Sequence, residues 1–181
     1  MEKLLLHTCC APCLVSVIDF FKEKFELFLY FYNPNIHPYK EYEQRSKSFK
    51  EYVERIGYKY IIGEYDYKDY FFNVSQDIEN RCIFCYQLRL NETAKMAKEL
   101  KINNFTTTMI YSIYQNHSLI KKIGEILSKE YDLNFVYYDL RNRYFEDKKR
   151  IVELDLYRQK YCGCIFSEIE RYGVIKNERF W

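Results

Sequence analysis

The seven cysteines of this 181-residue chain fall into three tight clusters. The clusters are Cys9, Cys10 and Cys13; Cys82 and Cys85; and Cys162 and Cys164. Short spacings let neighbouring thiolates bind a common metal, and thiolates are the ligands that zinc and iron–sulfur clusters take. Because roughly seventy to eighty residues separate one cluster from the next, they meet only if the fold brings three loops together. The sequence therefore predicts a metalloprotein built around one site.

Three kinds of cysteine site compete. Disulfides need an oxidising compartment, and MEKLLLHTCC at the N-terminus has a short apolar stretch without a cleavage site, so nothing indicates secretion. A structural zinc site takes four ligands, commonly at shorter separations, and would leave three thiols over. Seven thiolates suit an iron–sulfur cluster held by cysteines, with up to three left for a second metal or for chemistry. We expect the iron–sulfur cluster, with structural zinc and disulfides as the alternatives.

Composition indicates a cytoplasmic protein with one domain over residues 1–181 and no membrane span. The formal net charge of +2 is too small to argue for nucleic acid. Positive residues do gather in the second half, at 121–122, 141–143 and 148–150, where a solvated helix face is the alternative explanation. Twenty tyrosines and fourteen phenylalanines are unusual, and aromatics at the rim of a site can stack on bases, although most must pack elsewhere.

The elements that must position the cysteines alternate between strand and helix. Hydrophobic patterns predict strands at 3–8, 27–32, 58–62, 104–110 and 135–138, and helices at 14–24, 41–56, 82–100 and 117–129. Repeated strand–helix units predict an α/β fold with a parallel sheet and helices on both of its faces. Ligands of such sheets bind outside the carboxyl ends of the strands.

This sheet would place the cysteines at its ligand-binding edge. The first cluster follows the first strand directly, the second opens a helix whose N-terminal dipole favours thiolate, and Gly163 lets a short turn aim the last two thiols. Because neighbouring side chains of an extended segment point in opposite directions, Cys9 and Cys10 are expected to serve two different metals. The first strand is followed by no SGGxDS-type loop, and the chain has no GxGxxG or GKS/T motif, so a nucleotide is not expected there.

Five blocks between residues 7 and 164 together resemble the epoxyqueuosine reductase family QueH. The blocks are HTCCAPC, NPNIHPYKEYEQR, RCIFCYQLRL, TTTMIYSIYQNH and YRQKYCGC. The resemblance implies a Rossmann-like (HUP-type) sheet, an iron–sulfur cluster and a reductase that removes the epoxide oxygen of epoxyqueuosine at wobble position 34 of tRNA. It implies as partners tRNA with a GUN anticodon, for Tyr, His, Asn or Asp, and an unidentified electron donor. SIYQNH departs from the family pattern, in which a proline follows the serine.

The chemistry of the residues agrees with this resemblance. Opening an epoxide and expelling its oxygen as water takes electrons, protons and an electrophile on the oxygen. An iron–sulfur cluster supplies the electrons, and a metal with an open coordination site supplies the electrophile. We expect a 4Fe-4S cluster and a second, mononuclear iron. The two cysteines of each vicinal or near-vicinal pair are expected to bind different centres. The ligands are then Cys10, Cys82, Cys85 and Cys164 for the cluster, and Cys9, Cys13 and Cys162 for the second iron.

Other functional classes and other residues remain open. A tRNA thiolase-like transferase should carry a nucleotide-binding loop, and none is found. A redox sensor should carry a partner surface or a DNA-binding element, and the sequence shows no helix-turn-helix and no strongly basic arm. His7, on the same strand face as Cys9, and His117, at a strand-to-helix junction, are candidate catalytic residues, with a core histidine bonded to a carbonyl as the alternative for His7. Candidate substrate ligands are Asn33, Asn35, His37, Arg81, Arg89, Gln115, Asn116, Tyr157, Arg158 and Gln159. A turn, a helix cap and surface ion pairs are their alternative roles.

Overall fold

The computed structural model describes residues 1–173, in which five strands form one parallel sheet. The strands are β1 (Glu2–His7), β2 (Phe25–Phe31), β3 (Tyr60–Ile62), β4 (Asn104–Thr107) and β5 (Asn134–Phe135). Their order across the sheet is β3-β2-β1-β4-β5, so the chain starts at the centre and winds outward in both directions. This order confirms the predicted Rossmann-like α/β fold. Residues 174–181 of the predicted domain lie outside the described part.

Eight α-helices connect or follow the strands in the described residues. They are α1 (Ala11–Phe21), α2 (Tyr39–Ile56), α3 (Tyr67–Ser75), α4 (Arg81–Glu99), α5 (His117–Tyr131), α6 (Arg143–Glu146), α7 (Lys148–Glu153) and α8 (Ile165–Tyr172). Helix α4 packs on α5, β1 and β4, whereas α1 packs on α2. No helix in this range has the length and apolarity to cross a membrane.

The central strand β1 is apolar on both faces. Leu4, Leu5 and Leu6 are fully buried, which is the pattern of a parallel strand covered by helices on both sides. Packing is tightest where α5 approaches β5: a Cβ atom on Gly124 would lie 2.1 Å from the ring of Phe135. A side chain at position 124 would therefore have to displace the aromatic ring.

Several predicted bounds were wrong. The strand predicted at 104–110 ends at Thr107, because the Thr107 hydroxyl accepts a hydrogen bond from the Met109 amide (3.1 Å) and starts a 3₁₀-helix over Thr108–Tyr111. The last strand covers Asn134–Phe135 rather than 135–138. Helices α3, α6, α7 and α8 were not predicted, because all have fewer than ten residues and show too few turns for a clear periodicity.

Candidate metal centre

The three cysteine clusters lie on loops and helix starts that follow the strands. Cys9 and Cys10 stand between β1 and α1, and Cys13 lies in the first turn of α1. Cys82 and Cys85 lie in the first turns of α4, and the remaining pair directly precedes α8. All seven are free thiols.

The first cluster brings its three sulfur atoms together. The Sγ atoms of Cys9 and Cys10 lie 3.8 Å apart, and those of Cys10 and Cys13 lie 2.7 Å apart. All three lie within 4.8 Å of one another, and no other group of three potential ligands among residues 1–173 does so. The expectation that the vicinal sulfurs diverge was wrong, because the chain bends at Cys9 and so leaves the alternation of an extended strand. These three residues, called here the N-terminal triad, can hold a metal.

Hydrogen bonds concentrate negative charge on one member of the N-terminal triad. Hydrogen bonds from the thiols of Cys10 and Cys13 hold the pKa of Cys9 well below its usual value, and Thr108 Oγ1 lies 3.2 Å from the Cys9 sulfur. Burial raises the pKa of Cys10, and hydrogen bonds to Cys10 and Cys9 raise that of Cys13. Gln159 adds a donor, with Nε2 2.9 Å from Cys10 Sγ. The triad thus carries a thiolate held by fixed donors.

The second group of thiols is built around the start of α8. The Ser167 hydroxyl lies 3.1 Å from Cys162 Sγ and 3.5 Å from Cys164 Sγ, and the Ser167 amide donates to Cys164. A hydrogen bond from the Cys162 thiol lowers the pKa of Cys164 to about 4. Cys164 packs in one buried cluster with Cys85, whose pKa burial raises to about 11. The fold therefore joins the second and third sequence clusters.

One buried arginine holds the Cys162–Cys164 turn, and sequence reasoning did not single it out. Arg45 donates from Nη1 to the Cys162 carbonyl (2.9 Å) and from Nη2 to the Tyr161 carbonyl (3.1 Å), while Nε pairs with Glu41 (2.7 Å). Gly163 has φ +135°, and a Cβ atom there would lie 3.2 Å from Arg45 Nη1. A signal was present, since Arg45 ends the block NPNIHPYKEYEQR and stands one helical turn after Glu41.

A second buried arginine lies near both groups of thiols. Arg89 is 5% exposed, its Nε donates to the Cys85 carbonyl at 3.3 Å, and no described carboxylate forms a salt bridge with it. Burial alone would lower the pKa of Arg89, but the sulfurs of Cys85, Cys9 and Cys162 raise it. Because a buried cation needs a nearby anion and the pKa of Cys9 is held low, the Cys9 thiolate is the counter-charge of Arg89.

Both candidate catalytic histidines are buried with both ring nitrogens engaged. His7 Nε2 lies 2.9 Å from the Tyr32 carbonyl, which can only accept, so Nδ1 accepts from the Thr107 hydroxyl (2.9 Å). Burial lowers the pKa of His7 to about 4, so the ring is neutral at pH 7. His117 repeats the arrangement, with the Ser112 carbonyl at 2.9 Å and the Tyr137 hydroxyl at 3.1 Å. For His7 these bonds match the core-histidine alternative, and the catalytic roles of both histidines stay predictions.

The loop after β2 holds buried polar atoms that lack hydrogen-bond partners. Asn33 Nδ2 donates to the Thr8 carbonyl (2.9 Å), but Asn33 Oδ1 and Asn35 Oδ1 have no partner among the described residues. Both ring nitrogens of His37 are likewise unpartnered, and its ring packs 4.5 Å from that of Phe71. Buried polar atoms are costly unless something satisfies them, so this loop has unused capacity to bind a ligand.

The remaining candidates divide between structural contacts and free side chains. Arg81 forms an ion pair with Glu170, and Asn116 Oδ1 caps α5 by accepting from the Leu119 amide, as the alternatives predicted. Gln115 accepts from the Tyr86 hydroxyl (2.8 Å), and the Tyr157 hydroxyl donates to Glu41. Arg158 is exposed. Of the ten candidate substrate ligands, Gln159 contacts a triad sulfur and Arg89 lies close to the thiols of both groups.

Comparisons of the sequence with known proteins agree on one family. The model of the family epoxyqueuosine reductase QueH matches residues 4–170. Proteins named epoxyqueuosine reductase QueH are similar in Dehalococcoides mccartyi (39% identical, 94% of this chain and 95% of the relative) and in Thermotoga maritima (33%, 94% and 93%). A predicted subunit of tRNA methyltransferase from Methanocaldococcus jannaschii has a similar structure, with a TM-score of 0.52, 14% identity, and coverage of 83% and 76%. At this identity the likeness shows the fold alone.

Proposed function

Because the chain belongs to the epoxyqueuosine reductase QueH family, a family of oxidoreductases, we propose that it reduces epoxyqueuosine to queuosine at the wobble position of tRNA. The substrate is tRNA with a GUN anticodon, for Tyr, His, Asn or Asp, and an unidentified donor supplies the electrons. Two electrons and two protons convert the epoxide into an alkene, and its oxygen leaves as water. We place the reaction in the cytoplasm, where thiols stay reduced.

The observation that carries this proposal is the placement of the thiols. Seven free cysteines from three distant segments follow strands or open helices around one parallel sheet. Three sulfurs lie within 4.8 Å of one another, and Cys85 and Cys164 share a second buried cluster. Thiolates in such number suit iron–sulfur chemistry better than a zinc site of four ligands. The place that a nucleotide takes in many sheets of this type is occupied by cysteines.

We propose that these cysteines hold a 4Fe-4S cluster and a second iron. When bound, these groups supply the electrons and an electrophile for the epoxide oxygen. Arg89 stabilises the negative charge of the thiolates from within the protein. The unpartnered polar atoms of Asn33, Asn35 and His37 offer hydrogen bonds to the modified base. His7 and His117 are the proposed catalytic residues; because the His7 ring is neutral at pH 7, it would have to take up a proton before it could donate one.

The partition of the ligands is part of the proposal. We assign Cys10, Cys82, Cys85 and Cys164 to the cluster, and Cys9, Cys13 and Cys162 to the second iron. The free sulfurs of Cys9, Cys10 and Cys13 form one group, so a single metal in the N-terminal triad is the competing arrangement. Cys10→Ser and Cys9→Ser distinguish the two. If only Cys10→Ser loses acid-labile sulfide, our partition stands; if both lose one metal and keep all sulfide, the triad is a separate site.

Anaerobic purification followed by an activity assay tests the whole function. We expect about four sulfides and four to five irons per chain, because seven thiolates exceed what one cluster needs. With a chemical reductant, the protein should convert epoxyqueuosine in tRNA without ATP, seen as the loss of one oxygen in the mass of the digested nucleoside. One zinc per chain without sulfide would refute the iron–sulfur proposal. Strict ATP dependence with sulfur incorporation would indicate a thiolase, and no conversion at all would indicate a sensor.

A further inference from the structure

A ladder of aromatic rings leads from the N-terminal triad to the protein surface. Ring centroids of Tyr111 and Tyr144 lie 5.6 Å apart, and Tyr144 lies 6.0 Å from Tyr114 and 5.3 Å from Phe145. The inner ring, Tyr111, is 3% exposed, whereas Tyr114 is 76% and Phe145 is 68% exposed. We call Tyr114, Tyr144 and Phe145 the aromatic edge. The open rings of Tyr114 and Phe145 contribute little to folding, whereas Tyr144 is half-buried against the core.

The aromatic edge is tied to the candidate metal site through one short helix. Thr108 starts the 3₁₀-helix that ends at Tyr111, and its hydroxyl accepts from the Cys9 amide at 3.0 Å. The same helix packs on α1, which carries Cys13. The pKa of Tyr144 is raised mainly by burial and by Tyr114. The Cys13 sulfur adds a smaller contribution, which agrees with a position near the triad. The aromatic edge therefore lies beside the N-terminal triad.

The segment that carries Tyr144 and Phe145 is also strongly basic. Residues 141–150 hold five arginines or lysines and two acidic residues, whereas the whole chain has a formal net charge of only +2. The arginines pair with Asp19, Asp139 or Asp147. Lys148 and Lys149 are exposed and make no salt bridge within the described residues. Exposed rings can stack on single-stranded bases, and the neighbouring lysines without ion-pair partners can attract the phosphates that join those bases.

We propose that the aromatic edge is the surface on which bases of the anticodon loop stack while the wobble nucleotide enters the metal site, with Lys148 and Lys149 at the neighbouring phosphates. The inference rests on the proposed function, because it assigns a surface to the same substrate. A protein electron donor is the rival occupant. Rings flanked by cations favour RNA, since stacking on aromatic side chains accepts any base and lysines attract phosphate.

Binding of an anticodon stem-loop RNA that carries 2-aminopurine next to the wobble position tests this proposal. Stacking on the edge should quench the fluorescence of the probe. We expect Tyr114→Ala and Phe145→Ala each to lose most of the quenching and to weaken binding by about tenfold or more. Phe72→Ala is the matched control, because Phe72 is also 70% exposed but lies on α3. Phe145→Trp should keep both quenching and affinity, and a double Lys148→Ala, Lys149→Ala variant should flatten the salt dependence.

The outcomes separate this inference from the proposed function. If the wild type converts tRNA but Tyr114→Ala and Phe145→Ala bind the RNA as tightly as Phe72→Ala, the inference is wrong and the function stands. If the variants bind RNA normally but lose turnover only with a protein donor and not with a chemical reductant, the edge docks the donor and the inference is also wrong. If the wild type binds RNA but converts none, the proposed function fails independently. Raised KM with unchanged kcat in the alanine variants supports stacking.

Discussion

Replacing Arg45 by methionine should both destabilise the protein and release the turn that carries Cys162 and Cys164. Arg45 is 2% exposed and donates to two backbone carbonyls of this turn as well as to Glu41. A hydrogen bond from a charged donor contributes about 1.5–3 kcal/mol. Loss of two such bonds, with the partly buried Glu41 carboxylate left to the Tyr157 hydroxyl alone, gives a cost of about 3–6 kcal/mol. For a chain of this size the melting temperature should fall by roughly 10 °C.

The assay compares three variants purified anaerobically. Urea unfolding measures the free energy, and iron and sulfide analysis measures how much metal each variant retains. Arg45→Met should lose both stability and metal, whereas Arg45→Lys should lose less, because lysine keeps the charge but not the two-pronged geometry. Arg55→Met is the control, since Arg55 lies on the same helix but is exposed over the ring of Tyr52. If Arg45→Met is within about 0.5 kcal/mol of this control and holds as much metal, Arg45 does not position the turn.

Three further predictions concern the packing and the thiols. Gly124→Ala should cost about 1–3 kcal/mol in urea unfolding, because its Cβ would collide with the ring of Phe135, and adding Phe135→Leu should recover part of the loss; an unchanged midpoint would contradict the tight packing. Gln159→Leu removes the hydrogen bond to Cys10 Sγ and should lower the reduction potential of the bound metal group relative to Arg158→Leu; equal potentials in spectroelectrochemical titration would show that the bond is absent in the loaded protein. Cys82→Ala and Cys85→Ala should each lose the visible absorbance of the cluster, since both thiols open one helix; a variant with full absorbance and full activity would place the cluster elsewhere.

Local patterns in the sequence were enough to predict most of the sheet. The runs around Leu5 and Leu29 are apolar on both faces, which is a signal that a buried parallel strand carries in its own residues. The role of Asn116 as a helix cap could also be predicted from the local sequence, because Asn116 and the Leu119 amide that it binds are three residues apart. The positions of Cys9, Cys10 and Cys13 after β1 and of Cys82 and Cys85 at the start of α4 followed from these elements, whereas α8, which Cys162 and Cys164 precede, was not predicted.

The contacts that complete the site could not be predicted in this way. Arg45 and Cys162 are 117 residues apart in the sequence. Local patterns relate only residues that are a few positions apart, so they cannot predict this contact. The convergence of the Cys9 and Cys10 sulfurs depends on a bend in the backbone, and the period of a strand gives the opposite answer. Thr107 ended its strand early through its own side chain, although Thr is otherwise favourable in strands.

The distance along the chain between Gln159 and Cys10, 149 residues, also orders events in time. Translation delivers the N-terminus first, and at about 5–20 residues per second the triad waits roughly seven to thirty seconds for the segment that completes its surroundings. During that interval three closely spaced thiols exist without their later partners. The complete set of cysteines that we propose as metal ligands exists only after Cys164 has been synthesised, so the proposed metal insertion follows that step, and the three early thiols are open to oxidation until then.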